Sequence, residues 1–132
     1  CNCRMCQKAL GNLTAPFASF AAPVVWTRGK PTLFRSSMRV QRGFCNQCGT
    51  PLTYQWGDMP PSITIGSFDR PNAIIPTVEL ARDNRHPAVG HIDELHEQAQ
   101  GGTDEERDIL AILRSYQHPD QDTETWTPGG GQ

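Results

Sequence analysis

No apolar run in this chain approaches the roughly 20 residues that a transmembrane helix needs. The longest apolar stretch, around Phe17–Trp26, is interrupted by Ser19 and Pro23, so no membrane partner is expected. No cysteine follows Cys48, which leaves the last 84 residues without one. That excludes a disulfide framework spread through the domain. The sequence also lacks a glycine-rich phosphate loop, a Ser-His-Asp spacing, a paired-carboxylate motif and any internal repeat. Nucleotide-phosphate chemistry, triad hydrolysis and two-carboxylate glycoside chemistry therefore have no footing in it. Glycine (12) and proline (11) are numerous enough for many turns but fall short of a collagenous or low-complexity chain.

The 132 residues fit one domain, and 36% hydrophobic content is enough for a packed core. The net charge of −2 conceals an asymmetry. Residues 1–70 hold eight Lys/Arg and two acids, whereas residues 71–132 hold four Arg and twelve acids. The basic half could attract an anion such as a peptide carboxylate or a phosphate. The plainer expectation is two solvated faces that attract each other within one domain. Aromatics interleave with the basic residues (Phe34, Phe44, Tyr54), but strand alternation accounts for this and nucleic acid is not the expected partner. The sequence opens on Cys1 rather than Met, as a processed chain or a segment of a longer protein would.

The five cysteines, Cys1, Cys3, Cys6, Cys45 and Cys48, fall into two tight clusters. Thiols two or three positions apart suit a metal better than mutual disulfides, because a tetrahedral ion needs several sulfurs converging on one point. Free thiolates imply a reducing compartment, and a cytoplasmic location is expected. Phe44-Cys45-Asn46-Gln47-Cys48-Gly49-Thr50-Pro51-Leu52 has the form of a zinc knuckle: two spacer residues let both sulfurs face one ion, and Gly49 can take φ > 0 and turn N–H groups toward them. A redox dithiol would instead open a helix, and Gly49-Thr50-Pro51 is a poor helix start. Cys1, Cys3 and Cys6 offer three thiolates, which would leave one zinc position open as in a catalytic site. Alternatively, Cys1 and Cys3 join Cys45 and Cys48 in one closed all-thiolate site and Cys6 is spare. One of the histidines, His86, His91, His96 or His118, could add a ligand, although surface or turn positions suit them better.

Apolar content suggests strands over Phe17–Trp26 and Ile74–Leu80, a short strand is expected at Thr32–Arg35, and alternation predicts strands over Met38–Phe44, Leu52–Trp56 and Ser62–Ser67, an antiparallel all-β pattern. A short helix is expected at Ile92–Gln100, stopped by Gly101-Gly102. Thr103 and Glu106 read as a capping box for an amphipathic helix over 103–117, with Ile109, Ile112, Leu113 and Tyr116 forming a stripe that covers the sheet or a homodimer partner. Residues 1–80 are thus read as a zinc-binding β core, 81–118 as the rest of the same domain, and 119–132 as a flexible tail.

Four stretches resemble the glutathione-dependent formaldehyde-activating enzyme family, which also contains the centromere protein V group. Cys1-Asn2-Cys3-Arg4-Met5-Cys6-Gln7-Lys8-Ala9-Leu10-Gly11 is similar to its C-x-C-x-x-C-(R/Q)-K-x-x-G segment. Trp26-Thr27-Arg28-Gly29-Lys30-Pro31 with Arg35-Ser36-Ser37, then Arg42-Gly43-Phe44-Cys45-Asn46-Gln47-Cys48-Gly49-Thr50-Pro51-Leu52, then Gly66-Ser67-Phe68-Asp69-Arg70-Pro71, follow in the family's order. The resemblance implies a zinc-containing antiparallel β-sandwich related to methionine sulfoxide reductase B, followed here by the C-terminal amphipathic helix. It implies a catalytic zinc on Cys1, Cys3 and Cys6, and a structural zinc that uses Cys45 and Cys48 with an upstream C-x-C. That segment is absent, and about 20–30 residues carrying it are expected before Cys1, since two thiols alone cannot close a tetrahedron. Past residue 80 the family's tryptophan-containing stretch is replaced by His86-Pro87-Ala88-Val89-Gly90-His91.

The activity implied is that of a carbon–sulfur lyase joining glutathione, or an analogous small thiol, to formaldehyde as S-(hydroxymethyl)glutathione. Arg28, Lys30, Arg35, Arg39 and Arg42 are the cations available to the glutathione carboxylates. The alternative is a non-catalytic zinc-stabilised β module that binds a protein or nucleic-acid partner. A reductase resembling methionine sulfoxide reductase B needs a reactive thiol outside the metal pairs, and only Cys6 could serve.

Overall fold

A computed structural model of the chain describes residues 1–129. Its centre is one five-stranded antiparallel sheet: β1 (Phe17–Ala18), β2 (Thr32–Arg35), β3 (Val40–Phe44), β4 (Pro51–Trp56) and β5 (Ser62–Thr64), in the order β1-β5-β4-β3-β2. Strands β2 to β5 form a meander of successive hairpins, and β1 closes the far edge on β5. The register places Phe34 opposite Arg42 and Arg42 opposite Tyr54, so these three side chains form a row on one face. The expected sandwich is not there: the described residues make a single sheet. One helix, α1 (Arg4–Leu10), meets the sheet where Cys6 accepts a hydrogen bond from Arg42.

The turns are built by the polar residues they contain. Between β2 and β3, Ser37 Oγ accepts hydrogen bonds from the N–H groups of Arg39 (3.3 Å) and Val40 (3.0 Å), and Ser36 N donates to Val40 O (2.9 Å). Between β3 and β4, Cys45 N donates to Thr50 O (2.9 Å) and Gly49 N to Cys45 O (2.8 Å), with Gly49 at φ +76°. A side chain there would be strained, so the glycine is what allows the knuckle to turn.

Helix α1 was not signalled by periodicity, since seven residues are too few to show a stripe. It starts after Cys3, whose carbonyl accepts from Cys6 N and Gln7 N (3.0 Å each), and stops at Gly11 in the left-handed region. Several expected elements are shorter or absent. Only Phe17–Ala18 of Phe17–Trp26 is strand, because β5 offers so short a partner. Residues 65–67 of the Ser62–Ser67 strand wind into a 3₁₀ turn. No strand forms at Ile74–Leu80; this segment runs past the N-terminal segment, where Leu80 O accepts from Asn2 N (2.9 Å). The helix expected at Ile92–Gln100 is a single 3₁₀ turn, Ile92–Glu94.

A second helix, α2, spans Asp104–Ile112 rather than 103–117, and it begins with the expected capping box on Thr103 and Glu106. Its residues Ile109, Leu110 and Ile112 are exposed, so the expected cover of the sheet by this stripe is not found. Residues 117–126 lie near the β3–β4 turn: Gln117 Nε2 donates to Thr50 Oγ1 (3.4 Å), and Arg28 pairs with Asp122 at 2.7 Å. That ion pair joins the basic and acidic halves of the chain. The last three residues of the expected flexible tail lie outside the described residues.

The buried apolar set is small: Cys6, Ala15, Val40 and Ile65. Polar residues share the interior with them, namely Asn2, Arg42, Thr53 and Thr64, and Asn2 is the largest fully buried side chain. Asn2 Nδ2 donates to Glu79 Oε1 (2.9 Å), and Glu79 also approaches Arg85 (3.7 Å) and Arg82 (3.8 Å). The interior beneath the N-terminal segment is therefore hydrogen-bonded rather than oily.

Candidate metal centre

Cys1, Cys3 and Cys6 come together on the α1 side of the sheet, with all three sulfurs within 4.8 Å of one another. Three local features bring this about. Cys1 is tied on both sides to Ala15: Cys1 N donates to Ala15 O and Ala15 N to Cys1 O, each at 2.9 Å. Asn2, between the two thiols, points inward to Glu79 and turns the backbone around it. Cys3 is the N-cap of α1 and Cys6 its third residue, and at this spacing the cap side chain lies over the third helical position. Cys6 is buried, whereas Cys1 and Cys3 are half-exposed.

Zinc bound at about 2.3 Å by tetrahedral thiolates needs sulfurs about 3.8 Å apart. The trio lies within about 1 Å of that separation, and its soft all-thiol character suits zinc. The donors present therefore fit the ion. Among the described residues no histidine, aspartate or glutamate joins the three cysteines in this cluster. Three thiolates would fill three of the four positions of a tetrahedral zinc.

Arg42 reaches the trio from β3. Its Nη2 donates to Cys6 Sγ at 3.3 Å, its Nε donates to Ser36 Oγ at 3.1 Å, and its guanidinium carbon lies 5.2 Å from the centre of the Tyr54 ring. Tyr54 in turn packs against Phe17 with ring centroids 5.6 Å apart. Burial pushes the Cys6 thiol above its ordinary pKa; hydrogen bonding and charge from Arg42 oppose this, and the nearby Cys3 adds to it. Burial likewise raises the Tyr54 phenol, reinforced by the charge of Cys6.

Cys45 and Cys48 are not part of the trio. They sit on the turn between β3 and β4, and the Cys48 Sγ lies 3.2 Å from Thr50 Oγ1. Burial acts to raise the Cys48 thiol, but hydrogen bonds from Thr50, Cys45 and the His118 backbone outweigh it and hold the thiol below its ordinary pKa. A cavity of about 670 Å³ opens beside this turn, lined by Trp26, Arg28, Lys30, Gln47 and Trp126 among others. All five cysteines are free of disulfides. Among the described residues no histidine joins the trio: the His118 ring hydrogen-bonds Pro119 O (2.8 Å) and Thr123 Oγ1 (3.1 Å) while its backbone reaches Cys48, His91 bonds Glu94 (2.8 Å), and His86 caps the turn at Ala88.

Spacing alone pointed to the two cysteine clusters but left Arg42 as one cation among five. The signal that would have separated it is its position opposite Tyr54 in the middle of three strands, where an arginine is seldom buried without a partner.

The family model for glutathione-dependent formaldehyde-activating enzymes matches residues 1–83, which include all five cysteines and the whole sheet. No curated protein and no solved structure matches the chain.

Proposed function

The chain belongs to the glutathione-dependent formaldehyde-activating enzyme family, and on that footing we propose that it is a zinc-dependent carbon–sulfur lyase acting on S-(hydroxymethyl)glutathione or the adduct of a similar small thiol. The observation that carries this reading is the convergence of the Cys1, Cys3 and Cys6 sulfurs within 4.8 Å. Zinc held by these three would supply a positive centre that keeps a thiol as its thiolate at neutral pH. Cys45 and Cys48 are the second pair we assign to zinc, in a structural role that takes two further donors.

In the synthetic direction a bond forms between the thiol sulfur and the aldehyde carbon. The carbonyl π pair moves to oxygen, and the thiol proton ends on that oxygen. The reverse step breaks the same carbon–sulfur bond, and no oxidant or reductant is consumed. The protein's part is to bring the two reactants together in the right orientation, which removes the entropic cost of a bimolecular encounter. Residues 1–15 fix the sulfurs through the Cys1–Ala15 pair and the Asn2 anchor. Arg42 holds Cys6 in place from behind. Free thiols suit a reducing compartment, and we place the protein in the cytoplasm on that ground.

NMR exchange spectroscopy on a mixture of formaldehyde and glutathione tests the reading. With zinc-loaded protein the interconversion with S-(hydroxymethyl)glutathione should run above the spontaneous rate, and Cys6→Ser should return it to that background. A wild-type rate equal to background, with zinc shown to be bound, would retire formaldehyde activation and leave a zinc-stabilised binding module.

A further inference from the structure

A buried cation requires a counter-charge, because removing it from water without one is among the most unfavourable events in folding. Arg42 is only 8% exposed, yet among the described residues no carboxylate forms an ion pair with it. Its contacts are the Ser36 hydroxyl, the Cys6 sulfur and the face of Tyr54. Its Nη1 is fully buried with no hydrogen-bond partner at all. Such an orphan donor is rare, and it lies beside Nη2 on the same planar fork, next to the cysteine trio. The groups around it that metal binding would turn into anions are the sulfurs.

We infer that Arg42 is the charge-balancing and positioning residue of the Cys1–Cys3–Cys6 centre: Nη2 fixes the Cys6 sulfur, and Nη1 serves a second sulfur of the trio once the three are drawn together as thiolates. This rests on the zinc reading of the trio. Three thiolates around a divalent ion carry a net charge of −1, and a substrate thiolate would raise it to −2. The guanidinium offsets one of these charges and donates to sulfur, as outer-shell partners of metal ligands do. Ser36 contributes at one remove, since its hydroxyl accepts from Nε and holds the fork at its angle.

The test is a cobalt(II) titration of the full chain under reductant, reading affinity by competition with a chromophoric chelator and the energy of the thiolate-to-cobalt charge-transfer band. Arg42→Gln should weaken cobalt affinity by about 10- to 100-fold, the usual loss for an outer-shell partner. It should also move the band to lower energy, because a sulfur that loses an N–H donor gives up its electrons more readily. Arg42→Lys, which keeps the charge but not the fork, should recover part of the affinity. Ser36→Ala should shift the band in the same direction by less. If Arg42→Gln does not fold by circular dichroism, the lysine and alanine variants carry the test. Folded variants with the wild-type affinity and band would overturn the inference while leaving the zinc reading intact. A wild-type cobalt spectrum that Cys6→Ser leaves unchanged would instead overturn the zinc reading, and the role of Arg42 with it.

Discussion

Gly43 lies in β3 one position from Arg42, where the strand passes closest to its neighbours. Its N–H donates to Thr53 Oγ1 at 2.9 Å, and a β-carbon built there would collide with that same hydroxyl oxygen and come within 2.8 Å of Pro31 Cβ. Neither neighbour is the loose end of a flexible chain. Gly43→Ala should therefore destabilise the fold by about 1–3 kcal/mol, as overpacking does. A urea titration would show it as a lower midpoint, and an unchanged midpoint would mean that Thr53 and Pro31 give way to the methyl group freely. The five cations read from the sequence as candidates for the glutathione carboxylates also part company at this scale. Arg28 is engaged by Asp122, Arg35 donates to the Met38 carbonyl, and Arg42 is turned into the protein against sulfur. Spacing could not rank them, because register across strands decides which one faces the thiols.

Elements with their own local chemistry are the ones the sequence announces. The capping box of α2 is closed in both directions, with Glu106 N donating to Thr103 Oγ1 (3.2 Å) and Thr103 N to Glu106 Oε2 (3.1 Å). β2 is found over Thr32–Arg35 as expected, and β3, β4 and β5 lie inside or within one residue of the expected runs. Elements that need a partner were misread. Apolar content alone suggested strands at Phe17–Trp26 and Ile74–Leu80, but a strand requires a neighbour of matching length, and β5 has three residues to offer. α1 went unseen for the converse reason: its seven residues are held by the Cys3 carbonyl and Gly11 rather than by a hydrophobic stripe. The convergence of Cys1, Cys3 and Cys6 is legible because it is local, whereas that of Arg42 is not, because its contact with Cys6 crosses 36 positions. α2 gives a test of the distinction between local and partnered elements. Its apolar residues are exposed, so its stability comes from the cap and from Arg107, which bonds Gly101 O and pairs with Asp104. Thr103→Ala should remove about 0.5–2 kcal/mol from the helix. Amide exchange should quicken over 104–107 while the global melting temperature stays in place. A matching fall in global stability would show that α2 is bound into the domain after all.

At the scale of the molecule, the balance between buried and exposed surface is unusual. The described chain exposes 10657 Å², against about 6,900 Å² for a compact monomer of 14.6 kDa by the usual scaling. Among the described residues the buried apolar ones number four, one of them Cys6 of the trio, and the best-buried large side chain is an asparagine. The hydrophobic term is correspondingly thin, and the metal we propose would add to the stability of a fold whose core is small. The N-terminal segment is where the gain would enter. It carries the trio, meets β3 where Cys6 accepts from Arg42, and is fastened to residues 79–84 through Asn2 and through Gln7 Nε2 to Asn84 O (3.1 Å). A metal that ties Cys1, Cys3 and Cys6 together thus braces both ends of the matched region at once. Stability should rise with free zinc as mass action requires, by about 2.7 kcal/mol at a hundredfold excess over the dissociation constant. Thermal unfolding under reductant, repeated across buffered zinc concentrations, would measure it. The melting temperature should climb with the logarithm of free zinc and fall on addition of a chelator. In Cys6→Ser most of that slope should be lost, while in the Cys45→Ser, Cys48→Ser double variant the part belonging to the trio should persist. A slope carried entirely by Cys45 and Cys48 would place the stabilising metal at the β3–β4 turn and leave the N-terminal segment to be held by Asn2 and Ala15 alone.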